Sequence, residues 1–413
     1  MSLARRRRVL AILPGIFPST VVNVAKPLMQ LHAAGAIELD LTLQFVVGRR
    51  QLARADLVVM THTIDPACAG VLDDARALGK PILYDIDENL LEVPDEPGLA
   101  FHKEPARQAA VRRLLRQAAL VRTYSPVLHR YLEPLASKVV RVDGPVDWQL
   151  LPAIGAGPAA ASSAGRAHVV YATSRVPDSI GPMLVEPLQR VLERHAGAEV
   201  TIWGPRLPGL DGHPRVSHRD LVRDYDQYLA QFARAGFDVG LAPMPDSLFH
   251  QCKTATKFRE YAACRIAGVY ADTEMYRDCV VDGATGLLSG PSTGAWAAAI
   301  GRLIEDAALR RGIQDRAERY ARERFSAGGV GFGWLQQIEE VASQAAAPGA
   351  AAARGGAPGS FARVGGIVRT GARSVSRVPG VLRRGGVRAV WMRTRAQAAA
   401  YRQLMEWELK LRK

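Results

Sequence analysis

Short apolar runs alternate with amphipathic stretches from the start of the chain, and this rhythm predicts alternating strands and helices. The apolar runs are too short for buried helices and are bounded by turn residues, which favours strands. We predict strands at residues 9–13, 41–46, 57–60, 81–84, 120–123 and 139–142. Helical patterns fill intervals between them, as at 66–78 and 104–119. This repeated order predicts a parallel sheet covered by helices.

The alternation of predicted strands and helices is interrupted once and then resumes, which predicts two domains. Residues 151–167 are rich in Ala, Gly, Ser and Pro without periodicity, as is typical of a linker. Beyond it we predict strands at 168–172, 199–203, 237–242 and 269–271, and helices at 181–195, 225–235, 253–265 and 293–324. The sequence therefore predicts an α/β protein with Rossmann-like domains at 1–150 and 168–330, then a helix at 331–344.

Composition agrees with a folded two-domain chain and adds a charge signal. The chain has 413 residues, of which 48% are hydrophobic and 23% are charged, values typical of globular proteins. It contains no apolar stretch long enough to span a membrane. The net charge is +14, but residues 345–413 hold 14 Lys or Arg against two acids, a net +12. The basic signal therefore belongs mainly to this low-complexity tail, which ends in a helical pattern.

The N-terminal segment and the cysteines indicate where in the cell the protein is expected. Four arginines at 5–8 precede an apolar run and imitate a secretion signal, but the run ends at Pro14 without a small-residue cleavage site. A buried first strand is the better interpretation. The four cysteines form no CxxC pair and have no histidine at zinc-ligand spacing, so we expect no structural metal. We predict reduced thiols in a cytoplasmic protein.

Candidate chemistry follows the predicted strands, because ligands of open parallel sheets bind beyond the carboxyl ends of the strands. His62 follows one strand, and Asp85, Asp87 and Glu88 follow the next. Carboxylates at these positions suit binding of substrate hydroxyl groups or a role as a proton acceptor. The alternatives are a turn or helix cap at the aspartates and a purely structural histidine. Arg175 follows the first strand of the second domain, where a solvated salt bridge is the alternative.

The segment 245–288 has the most specific pattern. On a helix at 253–265, Lys253, Lys257 and Glu260 share one stripe. Two lysines beside the free amide groups of a helix N-terminus suit a diphosphate. A carboxylate one turn later suits a ribose diol. The alternative is a solvated face with a weak Lys257–Glu260 pair.

This segment resembles the donor-binding region of retaining glycosyltransferases of family 4, which have the GT-B fold. Members with the closest pattern read N-x-C-K-S-x-x-K-x-x-E-Y-x-x-x-G-I-P and later V-x-D-G-x-T-G-L-L. The matching residues here are Lys253, Lys257, Glu260, Tyr261, Tyr276, Asp282, Gly283, Gly286 and Leu287. Residues 82–94 are similar, more weakly, to the family's Y-D-x-D-D-x-L stretch. The resemblance spans residues 8 to about 343 and implies two Rossmann-like domains facing across a cleft.

The resemblance implies a hexosyltransferase-like enzyme that moves a sugar, with retention, from a nucleotide-diphosphate sugar to a glycan or lipid-linked acceptor. Glu260 matches the second glutamate of the family's E-x7-E motif, which holds the ribose, and the lysines would face the diphosphate. Arg175 would match a phosphate-binding arginine, and His62 a histidine near the sugar. The donor domain has no Asp-x-Asp placed as a bridge between a metal and the diphosphate, so we expect transfer without a metal or other cofactor. Asp85 and Asp87 belong to the acceptor side and complete the expected catalytic set.

The chain departs from the family pattern at three positions. Cys252 stands where the first glutamate of E-x7-E would lie, and we expect it beside the donor sugar. Arg265 and Ala267 replace a helix-ending glycine and a proline, so Gly268 is expected to supply the left-handed turn. A catalytically weak or inactive GT-B subunit that supports a partner transferase is therefore the alternative function.

The tail at 345–413 mixes arginines with apolar residues such as Val364, Ile367 and Trp391. This mixture predicts binding to an anionic membrane surface at the inner face of the membrane. A solvated tail is equally compatible with the composition. Nucleic acid is the rival partner of any basic segment, but few aromatic residues argue against it.

Overall fold

The computed structural model describes residues 5–63, 65–96, 99–151, 164–175 and 179–346, except for the side chains of residues 67, 345 and 346. Most of the predicted linker and the whole basic tail beyond residue 346 lie outside the described residues. The described chain forms two six-stranded sheets, and every strand pair in them is parallel. The predicted α/β class with two sheets is confirmed.

The strands are β1 Arg7–Leu13, β2 Ile37–Leu43, β3 Leu57–Thr61, β4 Ile82–Asp85, β5 Leu120–Thr123, β6 Val139–Arg141, β7 Arg166–Ala172, β8 Gly197–Trp203, β9 Val216–Arg219, β10 Val239–Ala242, β11 Ala267–Ala271 and β12 Leu287–Ser289. The first sheet has the strand order β2-β1-β3-β4-β5-β6, and the second has the order β12-β11-β10-β7-β8-β9. The central strands are buried on both faces, which explains why they are unbroken apolar runs in the sequence.

Helices connect most of the successive strands. They are α1 Pro18–Thr20, α2 Lys26–Ala33, α3 Arg49–Arg54, α4 Ala69–Ala77, α5 Pro105–Gln117, α6 Pro126–Leu132, α7 Val185–Arg194, α8 Tyr225–Arg234, α9 Leu248–Gln251, α10 Thr256–Ala263, α11 Glu274–Arg277, α12 Thr293–Glu305, α13 Ala307–Arg324 and α14 Ala327–Ala346. A π-helical turn, Val21–Ala25, joins α1 to α2. No helix among these is both long and apolar enough to cross a bilayer.

Two predicted helices differ from those in the structure. The prediction at 293–324 becomes α12 and α13, because Asp306 ends one helix and its side chain accepts the Leu309 amide at 2.8 Å to begin the next. The prediction at 253–265 was wrong at its start, since α10 begins at Thr256. Lys253 therefore lies in the loop before α10, and not on a stripe with Lys257.

The last described helix returns to the first domain. Trp334 of α14 is fully buried in the core on one face of the first sheet, and its indole N–H donates to the Asn23 carbonyl at 3.2 Å. The Arg122 guanidinium lies 3.6 Å from the centre of the Trp334 ring. The chain thus crosses between the domains twice, which places their facing loops on either side of one cleft.

Candidate functional site

A cleft of about 830 Å³ lies between the carboxyl ends of the two sheets. Loops after β1, β3 and β4 form one wall, and loops after β7 and β10 with the start of α10 form the other. Of the candidate residues named from the sequence, seven line this cleft: His62, Asp87, Glu88, Arg175, Lys253, Lys257 and Glu260. Asp85 and Cys252 do not line it.

Glu260 and Lys257 form a compact cluster in the second domain. The Lys257 ammonium donates to Glu260 Oε2 at 2.7 Å, and the Tyr228 hydroxyl donates to the same oxygen at 3.3 Å. Glu260 is buried, with 4% of its surface exposed. Its carboxylate therefore has a fixed position on the cleft wall and keeps lone pairs for a further hydrogen-bond donor.

Lys253 reaches across the cleft to the first domain. Its ammonium is paired with the Glu88 carboxylate and lies 4.6 Å from the centre of the Phe249 ring. Burial alone would raise the pKa of Glu88, but Lys253, His62 and Arg175 outweigh it and lower that pKa to about 2. An ion pair therefore joins the two walls, and a bound anion would compete with Glu88 for Lys253.

Arg175 makes a second connection between the walls. Its Nη1 donates to Glu96 Oε2 at 3.2 Å, and Ser179 Oγ donates to the same oxygen at 2.7 Å. His250 Nε2 lies 3.3 Å from the other Glu96 oxygen. Burial, with Lys253 and Arg175 nearby, lowers the pKa of His250 to about 4 despite Glu96. Sequence reasoning missed Glu96 and His250, because the contact between them joins loops that are more than 150 residues apart.

His62 and Asp87 form an ion pair on the first-domain wall. Burial opposes the charge on His62, but Asp87, Glu88 and Asp85 outweigh burial and raise its pKa to about 9. Asn23, which is presented by the π-helical turn, donates to the other Asp87 oxygen at 3.3 Å. His62 has φ +44°, in the left-handed region that non-glycine residues seldom occupy. The loop therefore holds a protonated imidazole at the cleft at neutral pH.

Asp85 is placed differently from the expectation that it takes part in catalysis at the cleft edge. It is 1% exposed and accepts hydrogen bonds from Arg122 Nε at 3.1 Å and the Tyr124 hydroxyl at 2.6 Å. Burial raises the pKa of Asp85 to about 6 despite Arg122 and Tyr124. Its side chain points into the first domain because it ends a fully buried strand, so it supports the wall without lining it.

Cys252 also lies away from the donor position expected for it. Its thiol is fully buried in the core of the first domain, where Asn89 Nδ2 donates to Sγ at 3.5 Å. Burial raises the pKa of Cys252 to about 11. The loop before α10 thus presents Lys253 to the cleft and anchors Cys252 against the opposite domain.

The end of α10 corrects the expectation for Gly268. Arg265 itself takes the left-handed conformation, with φ +57°. The Ile266 amide donates to the Tyr261 carbonyl at 2.8 Å and the Arg265 amide to the Ala262 carbonyl at 3.2 Å, a Schellman ending. Gly268 lies in β11, where a Cβ would fall 2.1 Å from the Tyr270 ring. Its lack of a side chain therefore serves packing and not the turn.

Aromatic residues that the sequence analysis did not select line the second-domain wall. Trp203 is the last residue of β8, and Tyr225 and Tyr228 lie one turn apart at the start of α8. The Trp203 and Tyr228 rings are 5.6 Å apart and nearly perpendicular. Their spacing in the sequence gives no motif, because they come from separate elements. Together they form an apolar surface beside Glu260 on which a flat ring can pack.

No group of three or more His, Cys, Asp or Glu in the described parts of the chain is arranged to hold a metal ion. Five lysine and arginine side chains of the described residues line the cleft: Arg107, Arg175, Lys253, Lys257 and Arg259. A cleft of this kind suits an anionic ligand with an attached ring and polar groups.

The His62–Asp87 pair gives a testable pH dependence. Its folded-state pKa of about 9 exceeds the ordinary value of 6.5, so the pair stabilises the fold below about pH 6.5 and this contribution is lost as pH rises through about 9. We expect Asp87→Asn to lower the free energy of unfolding most below pH 6.5. The difference from wild type should shrink towards pH 9 in denaturant titrations.

Asp74→Asn is the matched control, because Asp74 forms an exposed pair with Arg49 at 3.4 Å and no histidine is involved. Its effect should not vary over the same pH range. A constant difference between Asp87→Asn and wild type from pH 6 to pH 9 would contradict the assignment of a protonated His62.

Comparisons with known proteins identify the fold. No protein-family model matches the chain, and neither does any curated protein sequence. Among solved structures, Anabaena HepE in complex with UDP and glucose has a TM-score of 0.60 at 16% identity, covering 81% of this chain and all of HepE. Sucrose-phosphate synthase from Thermosynechococcus elongatus gives 0.61 at 14% identity, covering 82% of this chain and all of that one.

Trehalose 6-phosphate synthase from Burkholderia multivorans is a further similar structure, with a TM-score of 0.53, 12% identity, and coverage of 86% of this chain and all of that one. These similarities, with two parallel sheets facing across a cleft, confirm the predicted GT-B fold.

Proposed function

We propose that this chain is a glycosyltransferase that takes a sugar from a nucleoside-diphosphate sugar bound in the cleft and transfers it to a glycan or lipid-linked glycan. The observation that carries the proposal is the cluster of Glu260, Lys257 and Lys253 on the second-domain wall of a GT-B cleft. The fold comparison supports it, because HepE has been solved with UDP-glucose. UDP-glucose is therefore the first donor to test.

The donor would lie along the second domain. The base would pack on the wall of Trp203, Tyr225 and Tyr228, and the ribose diol would donate to Glu260. The diphosphate would meet Lys257 and the N-terminus of α10, where free amide groups favour anions. Lys253 would exchange Glu88 for a phosphate oxygen.

The first domain would hold the acceptor and the reacting sugar. A protonated His62, held by Asp87, would donate a hydrogen bond to the sugar or to the departing phosphate. The leaving nucleoside diphosphate gains negative charge as the glycosidic bond breaks, and fixed cations stabilise that charge. We propose retention of anomeric configuration, as the family resemblance implies.

Transfer is proposed to need no metal, because lysines and a helix N-terminus supply the positive charge. The test is release of nucleoside diphosphate from UDP-glucose and from GDP-, ADP- and dTDP-sugars in excess EDTA, with glycan and lipid-linked acceptors present. Turnover with at least one donor is expected, with product of the donor's anomeric configuration by NMR. Turnover that vanishes in EDTA and returns with manganese would contradict metal independence.

A non-catalytic GT-B subunit is the second candidate, and the position of Cys252 favours it. Cys252 stands at the sequence position where the resemblance expects a glutamate, and its thiol is buried against the first domain. This alternative predicts donor binding without turnover, so the same assay separates the two functions.

The basic tail at 345–413 keeps its sequence-based proposal, which is binding to an anionic membrane. Full-length protein should bind vesicles containing anionic lipid, and binding should weaken as salt rises. Removal of residues 347–413 should abolish it while donor binding stays unchanged. Equal vesicle binding by both proteins would contradict this role, and binding to DNA in place of vesicles would favour the nucleic-acid rival.

A further inference from the structure

Arg259 differs from the other lysine and arginine side chains that line the cleft. Each of the other four has a carboxylate partner in the described structure. Arg107 pairs with Glu104, Arg175 with Glu96, Lys253 with Glu88, and Lys257 with Glu260. Among the described residues, no carboxylate oxygen lies within 4.0 Å of the Arg259 guanidinium, and its hydrogen bond goes from Nη2 to the Thr256 hydroxyl at 3.1 Å. Arg259 is nonetheless buried, with 5% of its surface exposed.

An arginine in this setting does not stabilise the ligand-free protein. An arginine side chain carries a positive charge, and a buried charge without a counter-charge is unfavourable. The position is nevertheless built to receive it. Gly144 lies in the segment that follows β6. A Cβ at this position would lie 1.6 Å from Arg259 Nη1, so the glycine leaves room for the guanidinium.

The cleft is the side from which a counter-charge can arrive. Arg259 also borders a second cavity, but this measures about 20 Å³, which is room for about one water molecule. The two carboxylates lining that cavity, Asp143 and Asp278, are both bound by Arg324 at 2.9 Å. The larger opening is the 830 Å³ cleft, where Arg259 lies beside Thr256 and Lys257 at the start of α10.

We infer that Arg259 is a phosphate-binding residue of the cleft, taking oxygens of one phosphoryl group of a bound diphosphate. This inference rests on the proposed function, and it adds a residue that the motif resemblance does not include. Arginine suits the role because its planar N–H groups match two phosphate oxygens at once. Lys253 and Lys257 must leave carboxylates to meet the ligand, whereas Arg259 is available before the ligand arrives.

The test compares wild type with Arg259→Gln by calorimetry, using inorganic pyrophosphate, UDP and uridine as probes at fixed ionic strength. The variant is expected to bind pyrophosphate and UDP at least about tenfold more weakly and to bind uridine equally well. Its melting temperature without ligand should be equal to or higher than that of wild type. Arg316→Gln is the matched control, because Arg316 donates to the Ala284 carbonyl at 2.8 Å on the exposed surface.

Each outcome decides the inference. Equal pyrophosphate affinity in wild type and Arg259→Gln overturns it, whether or not the protein binds nucleotide sugars. Pyrophosphate binding that depends on Arg259 supports it, even if no nucleotide sugar binds and the proposed function fails. A wild-type protein that binds neither pyrophosphate nor UDP overturns both. If Arg259→Gln does not fold, Arg259→Lys is measured in its place. Weaker pyrophosphate binding by Arg259→Lys would support a contact from two guanidinium N–H groups, and unchanged binding would overturn the inference.

Discussion

Glu260→Gln is expected to weaken binding of the nucleoside-diphosphate sugar by about 10- to 150-fold, the effect of losing one or two charge-assisted hydrogen bonds. Glu260 is buried and fixed by Lys257 and Tyr228, so an amide of the same shape keeps the packing but loses the charge. If Glu260 holds the ribose diol, affinity for uridine should fall as well as affinity for UDP. Calorimetry with both ligands measures this directly.

A selective loss of UDP binding would instead mean that Glu260 acts only by positioning Lys257. Glu186→Gln is the matched control, because Glu186 pairs with Arg190 on the exposed face of α7. It should bind both ligands like wild type. Unchanged affinity in a folded Glu260→Gln protein would refute the ribose assignment.

Lys253→Met is expected to lower donor turnover by about 100- to 1000-fold, comparable to removing one preorganised donor from an oxyanion site. In the ligand-free structure Lys253 joins the walls by pairing with Glu88. On donor binding it would move to the diphosphate, where negative charge develops. Steady-state kinetics should therefore show the loss chiefly in kcat.

Glu88→Gln separates this role from a purely structural ion pair. Both substitutions break the pair, but Glu88→Gln leaves Lys253 free for phosphate, so nucleoside-diphosphate affinity should be equal or higher. If the pair serves only to hold the domains together, both variants should lose affinity and stability alike. Equal losses would contradict the assignment of Lys253 to the diphosphate.

The sheets were largely predictable because buried parallel strands are continuous apolar runs. The predictions at 57–60 and 120–123 match β3 and β5 within one residue. β2 begins at Ile37, earlier than predicted, because alternating Glu38 and Asp40 mask an edge strand. β9 was missed for the same reason, since Val216–Arg219 is polar and lies at the edge of the second sheet.

The candidate site was predictable where one local motif carries it. Lys257 and Glu260 lie one helical turn apart on α10, and the structure places them in contact as the spacing suggested. The helix start was not predictable, because a loop that anchors Cys252 in the other domain precedes Thr256. Tertiary contacts override the local pattern there.

Contacts between segments that are distant in the sequence could not be predicted from the sequence alone. The Asn23–Asp87–His62 arrangement depends on a π-helical turn and a left-handed residue, neither of which has a local signature here. The Glu96–Arg175 pair joins two domains. Asp85 and Asp87 differ by two positions, yet one supports the core while the other lines the cleft.

The central claim is that the cleft binds a nucleoside-diphosphate sugar through the second domain. Calorimetric titration of the full chain with UDP-, GDP-, ADP- and dTDP-sugars, each in EDTA, tests it most directly. The account predicts that at least one donor binds with a stoichiometry of one and that Glu260→Gln weakens this binding at least tenfold. A folded wild-type protein that binds none of the four, or a Glu260→Gln variant that binds equally well, would contradict it.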